Sequence, residues 1–144
     1  MSAKWVALEL AGIRGIRLEP GTDLRSVLES IELDSYAGAS ILSCVGSLKE
    51  TRLRLAGASD IWVSTQKVEI VSLVGTISHD GVHLHLSVSL PTGEVIGGHL
   101  LAGTIVRTTA EIMVALMTGP RLVRSLDSTT GYRELDFETK ENLS

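Results

Sequence analysis

The stretch from Val82 to Leu90, VHLHLSVSL, alternates without a break. Val82, Leu84, Leu86, Val88 and Leu90 fall on one side, and His83, His85, Ser87 and Ser89 on the other. That period of two is what a strand with one buried face requires. A helix would scatter the same apolar residues around its circumference, so the pattern argues against one. Pro91-Thr92-Gly93 follows with a turn composition, and Glu94 to Leu101 then reads as a second strand. The two strands predict a hairpin, and its register decides which side chains stand together.

The rest of the chain reads in the same way. Trp5 to Leu10 predicts a first strand, with Ile16 and Leu18 leading to a turn at Pro20-Gly21. In TDLRSVLESIEL the residues Leu24, Val27, Leu28 and Ile31 follow helical spacing, and Thr22 or Asp23 can cap the exposed N–H groups. Ala39 to Val45 predicts a buried strand that ends at Gly46-Ser47. Glu50 to Leu55 predicts another, with Thr51, Leu53 and Leu55 on one face and Arg52 and Arg54 on the other. After a polar loop at Gly57–Asp60, Val68 to Ile77 is β-branched and closes at the turn His79-Asp80-Gly81. Thr104 to Leu116 could be helix or strand, and Thr108, Thr109 and Val114 favour strand. Leu122 to Leu126 and Tyr132 to Phe137 complete the set. Strand follows strand with short connections and one helix, which predicts an α+β fold with a mainly antiparallel sheet.

The hairpin gathers three of the chain's four histidines. If Leu90 pairs with Glu94 across the turn, His85 lies directly opposite His99 and His83 sits diagonally, all on one face. Opposed Cβ atoms lie about 4.5–5.5 Å apart, with diagonal neighbours near 7–8 Å. Three imidazole nitrogens so placed can converge on one ion at about 2.0–2.1 Å each. A slip of one residue would send His99 to the other face. Gly97-Gly98 marks either a bulge or a close approach by another backbone. The competing reading is three histidines on a solvated sheet face. The metal reading makes His83, His85 and His99 the ligands of a zinc-type divalent ion. Its uncompensated charge would draw hydroxide or an anionic oxygen to the open position. His79 stands apart in the turn SHDG.

Beside such a metal, Glu111 could serve as general base and Arg107 could hold a carboxylate or phosphate, provided that Arg107, Thr109 and Glu111 share a strand face. An ordinary Arg–Glu surface pair fits the same residues. Cys44, the single cysteine, permits no intrachain disulfide and no thiolate zinc site, and reads as a small buried hydrophobe. The net charge of −4 gives no support to a phosphate-binding surface, and the pairs Arg14/Arg17, Arg52/Arg54 and Arg121/Arg124 read as solvated faces. No apolar run reaches the roughly 18 residues that span a bilayer. MSAKWVALEL lacks a signal-peptide pattern, so a cytoplasmic location without membrane contact is expected. With 144 residues, a single domain is expected.

GEVIGGHLLAGTIVRTTAEIMV at 93–114 resembles the plants and prokaryotes conserved (PPC) domain family. So do ILSCVGSL at 41–48, VEIVSLVGTIS at 68–78, DGVHLHLSVS at 80–89 and TGYREL at 130–135. The resemblance runs from about Gly15 to Leu135, leaving a C-terminal tail at 136–144. It implies an α+β, mainly antiparallel fold assembled as a homotrimer, in a family whose stand-alone members are described as predicted DNA-binding proteins. Plant relatives carry the domain after an Arg-Gly-Arg-Pro segment that enters the minor groove. GIRGIR at 12–17 lacks its proline and basic flanks. The implied fold is also similar to that of acetolactate decarboxylase and some metal-dependent hydrolases, in which an HxH pair and a later histidine bind zinc, and His83, His85 and His99 match that pattern. Two functions follow as expectations. One is a homotrimeric binding and assembly module of a DNA-binding regulatory family, carrying the metal site and a possible small-molecule ligand. The other is a small zinc-dependent enzyme of hydrolase or decarboxylase type.

Overall fold

The computed structural model describes residues 3–57 and 59–139. Its strands are β1 (Glu9–Leu18), β2 (Gly38–Arg54), β3 (Ile61–Ser64), β4 (Val68–Ser78), β5 (Gly81–Ser89), β6 (Val95–Leu100), β7 (Ile105–Thr118), β8 (Arg121–Leu126) and β9 (Arg133–Glu138). One helix, α1 (Leu24–Glu29), has six residues. The α+β expectation is corrected to that extent: the fold is mainly antiparallel β with one short helix. Of the expected tail at 136–144, the first three residues belong to β9, and 140–144 lie outside the described residues. Ala58, within the expected polar loop, also lies outside them.

Seven strands form one sheet in the order β1-β7-β2-β4-β5-β6, with β3 added on β2. The strand β2 organises it. Over 17 residues it pairs with β7, with β4, with β3 and, at its end, with β6. The contacts Leu53↔Leu100 and Arg54↔His99 join β6 back to β2, so β2, β4, β5 and β6 close a circuit. The break expected at Gly46-Ser47 is an irregularity within one strand. A side chain at Gly46 would run into the Thr109 carbonyl of β7, so glycine lets the two backbones meet there without ending the strand. Facing it, β2 advances from Gly46 to Leu48 while β7 advances from Ala110 to Val106.

The sheet's inner face and α1 enclose an aliphatic core, as the presence of only five aromatic residues demands. Leu24 and Leu28 of the helix are fully buried together with Leu48, Leu53, Leu84, Leu86 and Leu100. Helix α1 is held at its start by Asp23. One carboxylate oxygen accepts from the Ser26 backbone N–H at 3.1 Å, and the other from the Gly103 N–H at 2.7 Å. The first contact caps the helix and the second ties it to the β6–β7 turn. The hairpin β8–β9 forms a separate two-stranded sheet. It is bound to the large sheet through Leu122 N–H to Ala37 carbonyl at 2.9 Å and Arg124 N–H to Asp80 carboxylate at 2.8 Å. It therefore stands beside the β4–β5 turn, next to His83.

Candidate metal centre

The β5–β6 hairpin has the register expected of it. The Leu90 N–H donates to the Glu94 carbonyl at 2.8 Å, and His85 pairs with His99, Leu86 with Gly98, Ser87 with Gly97 and Val88 with Ile96 without a bulge. The two glycines serve the other purpose considered for them. A Cβ on Gly98 would stand 2.5 Å from the Arg54 carbonyl oxygen, so its absence lets β2 close on β6.

Consequently His83, His85 and His99 share one face. Their ring centroids lie 4.9 Å (His83–His85), 5.0 Å (His83–His99) and 4.6 Å (His85–His99) apart. One ring nitrogen from each lies within 4.8 Å of the others. In a tetrahedral zinc site the nitrogens stand about 3.3–3.4 Å apart, given bonds of about 2.0–2.1 Å. Closing from 4.8 Å to that spacing would require the rings to rotate, and two of them, His83 and His85, are exposed. The donor set fits an ion that takes imidazole nitrogen. Its protonation state fits too. Burial and the neighbouring Arg54 and histidines lower His99 to about 4, and burial followed by His85 and Arg124 lowers His83. Neutral imidazole is the form that binds a metal.

The face continues into a ring of arginines that sequence reading did not assemble. Arg54 pairs directly across from His99, so His85, His99 and Arg54 form one cross-strand row over β5, β6 and β2. On the other flank Thr76 pairs across from His83, and Arg124 Nη2 donates to the Thr76 hydroxyl at 2.6 Å. Arg124 is 7% exposed, not a member of a solvated pair with Arg121 as expected. The signal was present: on a strand, residue 124 falls on the same side as the core residue Leu122. Arg54, Arg124, His83 and His99 line a cavity of about 630 Å³, together with Arg25 and Arg133.

Arg107 and Glu111 do not line that cavity. Glu111 pairs across strands with Arg17 on β1 and Val45 on β2, and Arg17 Nε donates to the Thr109 hydroxyl at 3.4 Å. Arg107 lies in the stretch where β7 outruns β2, so the alternation that would align it with Glu111 is interrupted. His79 is structural, with its Nε2 at 2.7 Å from the Tyr36 carbonyl. Burial raises Cys44 to about 11, which suits a packed thiol and not a nucleophile.

Among curated proteins, the bifunctional protein GlmU of Synechococcus sp. (strain JA-3-3Ab) is 42% identical over 124 residues, which is 85% of this chain and 20% of that protein. The chain thus spans about a fifth of the length of the curated relatives it matches. A hypothetical protein of Salmonella enterica superposes with a TM-score of 0.84 at 33% identity, over 95% of this chain and 98% of that one. A metal-containing protein of Archaeoglobus fulgidus does so at 0.79 and 24% identity, over 93% and 99% of the two chains. A candidate DNA-binding protein of Bacteroides thetaiotaomicron gives 0.77 and 24%, over 91% and 96%. The last two likenesses concern the fold alone. The family model described as the Plants and Prokaryotes Conserved (PCC) domain matches residues 13–118, from within β1 to the end of β7. The chain belongs to the Plants and Prokaryotes Conserved domain family.

Proposed function

We propose that this chain is a homotrimeric binding and assembly module whose histidine face holds one zinc-type divalent ion. The convergence of three ring nitrogens within 4.8 Å on one hairpin carries the reading. The three-histidine set leaves a coordination position for water or a ligand, which is the form of a ligand-binding or catalytic ion, not of a closed structural one. The same face supports assembly. Through the register, Ile13, Ala115, Ser40, Thr76 and His83 form one row. On the same face, in this row and its neighbours, Ile13, Val45, Val74 and Met113 are exposed, at 60%, 60%, 53% and 43%. Apolar exposure of this kind on a sheet face suits burial against further copies. A match to a fifth of a longer bifunctional protein agrees with a module that works attached to other domains.

DNA is the partner suggested by the names of structural neighbours, among them the Bacteroides thetaiotaomicron protein, and the chain would act in the cytoplasm. The net charge of −4 makes direct contact with phosphates the weaker part of the proposal. Among the described residues no helix is long and apolar enough to cross a membrane.

The second reading is a zinc-dependent hydrolase or decarboxylase-like enzyme. It keeps Glu111 as acid/base and Arg107 as an anion holder. Glu111 lies on the histidine side of the sheet but three strands away from β5, so both residues would act on the ion of a neighbouring copy. The deciding experiment is metal content by mass spectrometry on protein without a histidine tag, beside the H83A/H85A/H99A variant. About one ion per chain, lost in the variant, is expected. No metal in either sample after zinc is supplied would overturn the site.

A further inference from the structure

We infer that the cavity beside the histidines is a site for a metabolite-sized oxyanion, a carboxylate or phosphate ester, held between the ion and two arginines, Arg54 and Arg124. The inference rests on the metal reading and adds a ligand class to it.

The arrangement of charge carries the argument. The cavity wall has arginines and carboxylates in near balance, but they are not equally free. Arg25 is held by Glu29 at 2.6 Å and by the Leu100 carbonyl at 2.6 Å. Arg133 is held by Asp80 at 3.1 Å and by the Arg124 carbonyl at 2.6 Å. Glu134 accepts from the Thr130 hydroxyl at 3.0 Å. Among the described residues, no hydrogen bond or ion pair engages the Arg54 guanidinium, although it stands directly across from His99. Arg124 is buried, and its Nε has no hydrogen-bond partner among the described residues. A guanidinium buried with an unpaired donor costs stability unless something compensates its charge. Among the described residues the Arg54 guanidinium meets no carboxylate, and the two carboxylates whose charge reaches Arg124 are engaged elsewhere, Asp80 by Arg133 and the Arg124 backbone N–H and Glu134 by Thr130, so positive charge is only partly compensated where the two arginines flank the histidines.

A dication on three neutral imidazoles adds to that excess. His83 and His99 share with the two arginines the lining of one space of about 630 Å³, within the usual range for small-molecule sites, so an ion held there would have its open position within reach of them. An oxyanion can give one oxygen to the ion and others to a guanidinium, whose planar fork suits carboxylate and phosphate alike. Tyr132, Leu55 and Leu101 line the same cavity and give the remainder of a larger acid an apolar wall. Arg124 and Tyr132 come from β8–β9 and its turn, beyond the residues 13–118 that match the family model.

The test is calorimetric titration of the full chain, zinc-free and zinc-loaded, with inorganic phosphate and separately with malonate, in wild type and in Arg54→Ala. Zinc itself is titrated first. Failure of wild type to take up zinc overturns the metal reading, and the bridging proposal with it. Where zinc binds, one or both anions are expected to bind the loaded protein. Loss of Arg54 should weaken them at least about tenfold, as removal of a charge-assisted hydrogen bond does. Zinc affinity should stay within a few-fold. A stronger response to malonate identifies a carboxylate ligand, and a stronger response to phosphate a phosphate ester. Arg124→Gln, checked for folding by its melting temperature, should repeat the loss. Zinc uptake with no anion binding, with equal binding in wild type and Arg54→Ala, or with equal binding with and without zinc would overturn the proposal.

Discussion

One side of the large sheet carries two neighbourhoods of opposite character. Over β5, β6 and the end of β2 it presents His83, His85, His99 and Arg54, small turns of chain and a cavity. Over β1, β7 and the middle of β2 it presents Ile13, Met113 and Val45, all exposed. The backbone is an antiparallel ladder in both, so much of the contrast lies in the outward residues of each strand, with α1 and the β8–β9 hairpin adding walls to the cavity. Inward residues satisfy the core and leave every second position free. The chain has used those free positions for histidines and charge at one end, and for apolar surface at the other. On the proposed reading an ion with a small anion would occupy the first, and a further copy of the chain would cover the second.

If the two neighbourhoods are separate devices, damage to one should spare the other. The largest effect is expected from His85→Ala, which removes one of three ligands. Zinc affinity should fall at least about a hundredfold, beyond the 10–100-fold usual for losing only an outer-shell partner. Titration against a chromophoric chelator measures this, and sedimentation should show the assembly intact. The paired variant Val45→Asp/Met113→Asp should do the reverse. Charges placed on the apolar half should convert the assembly to single chains in sedimentation, with about one zinc retained per chain. Loss of zinc together with assembly would instead mean that the two halves form one interface and that copies share the ion.

Smaller perturbations sharpen the boundary. Gly98→Ala would push its Cβ against the Arg54 carbonyl and force β6 away from β2. Overpacking of this kind costs about 1–3 kcal/mol, readable in urea unfolding, and zinc binding should weaken with it because His99 is the next residue. The perturbation that should leave both neighbourhoods least changed concerns Cys44, whose side chain packs against the core. With its thiol raised to about 11, thiolate is scarce at pH 8. Iodoacetamide should label the folded chain on the order of a hundredfold more slowly than an unperturbed cysteine with a pKa near 8.5.

How much of this was readable in the sequence depended on the distance over which each register is set. The β5–β6 pairing follows from a short turn, Pro91-Thr92-Gly93, and from strict alternation on both sides, so the facing of His85 and His99 was legible from local information. The strand reading of Thr104–Leu116 was also correct, extended in the structure to Thr118. The pairing of β7 with β2 joins residues far apart in sequence and contains irregularities, and the supposed alignment of Arg107 with Glu111 was lost there. β2 read as two strands because Gly46 resembles a terminator, whereas it marks a close approach. β1 was placed too early, since the paired segment begins at Glu9 and runs through Gly12 and Gly15. β3, only four residues long, was passed over. Arg54 and Arg124 were legible as strand residues but not as neighbours, because the closures that bring them beside the histidines lie between distant parts of the chain.

The clasp of β6 between β5 and β2 has a consequence for how the ion would come and go. His99 is anchored through backbone pairing on both edges of its strand, to His85 on one side and Arg54 on the other. The three donors are therefore arranged by the scaffold before any ion arrives. A zinc finger collapses when stripped, since its metal supplies the folding energy. Here the ion would be a tenant of a finished room, and its removal should leave the β6 amides protected from solvent deuterium.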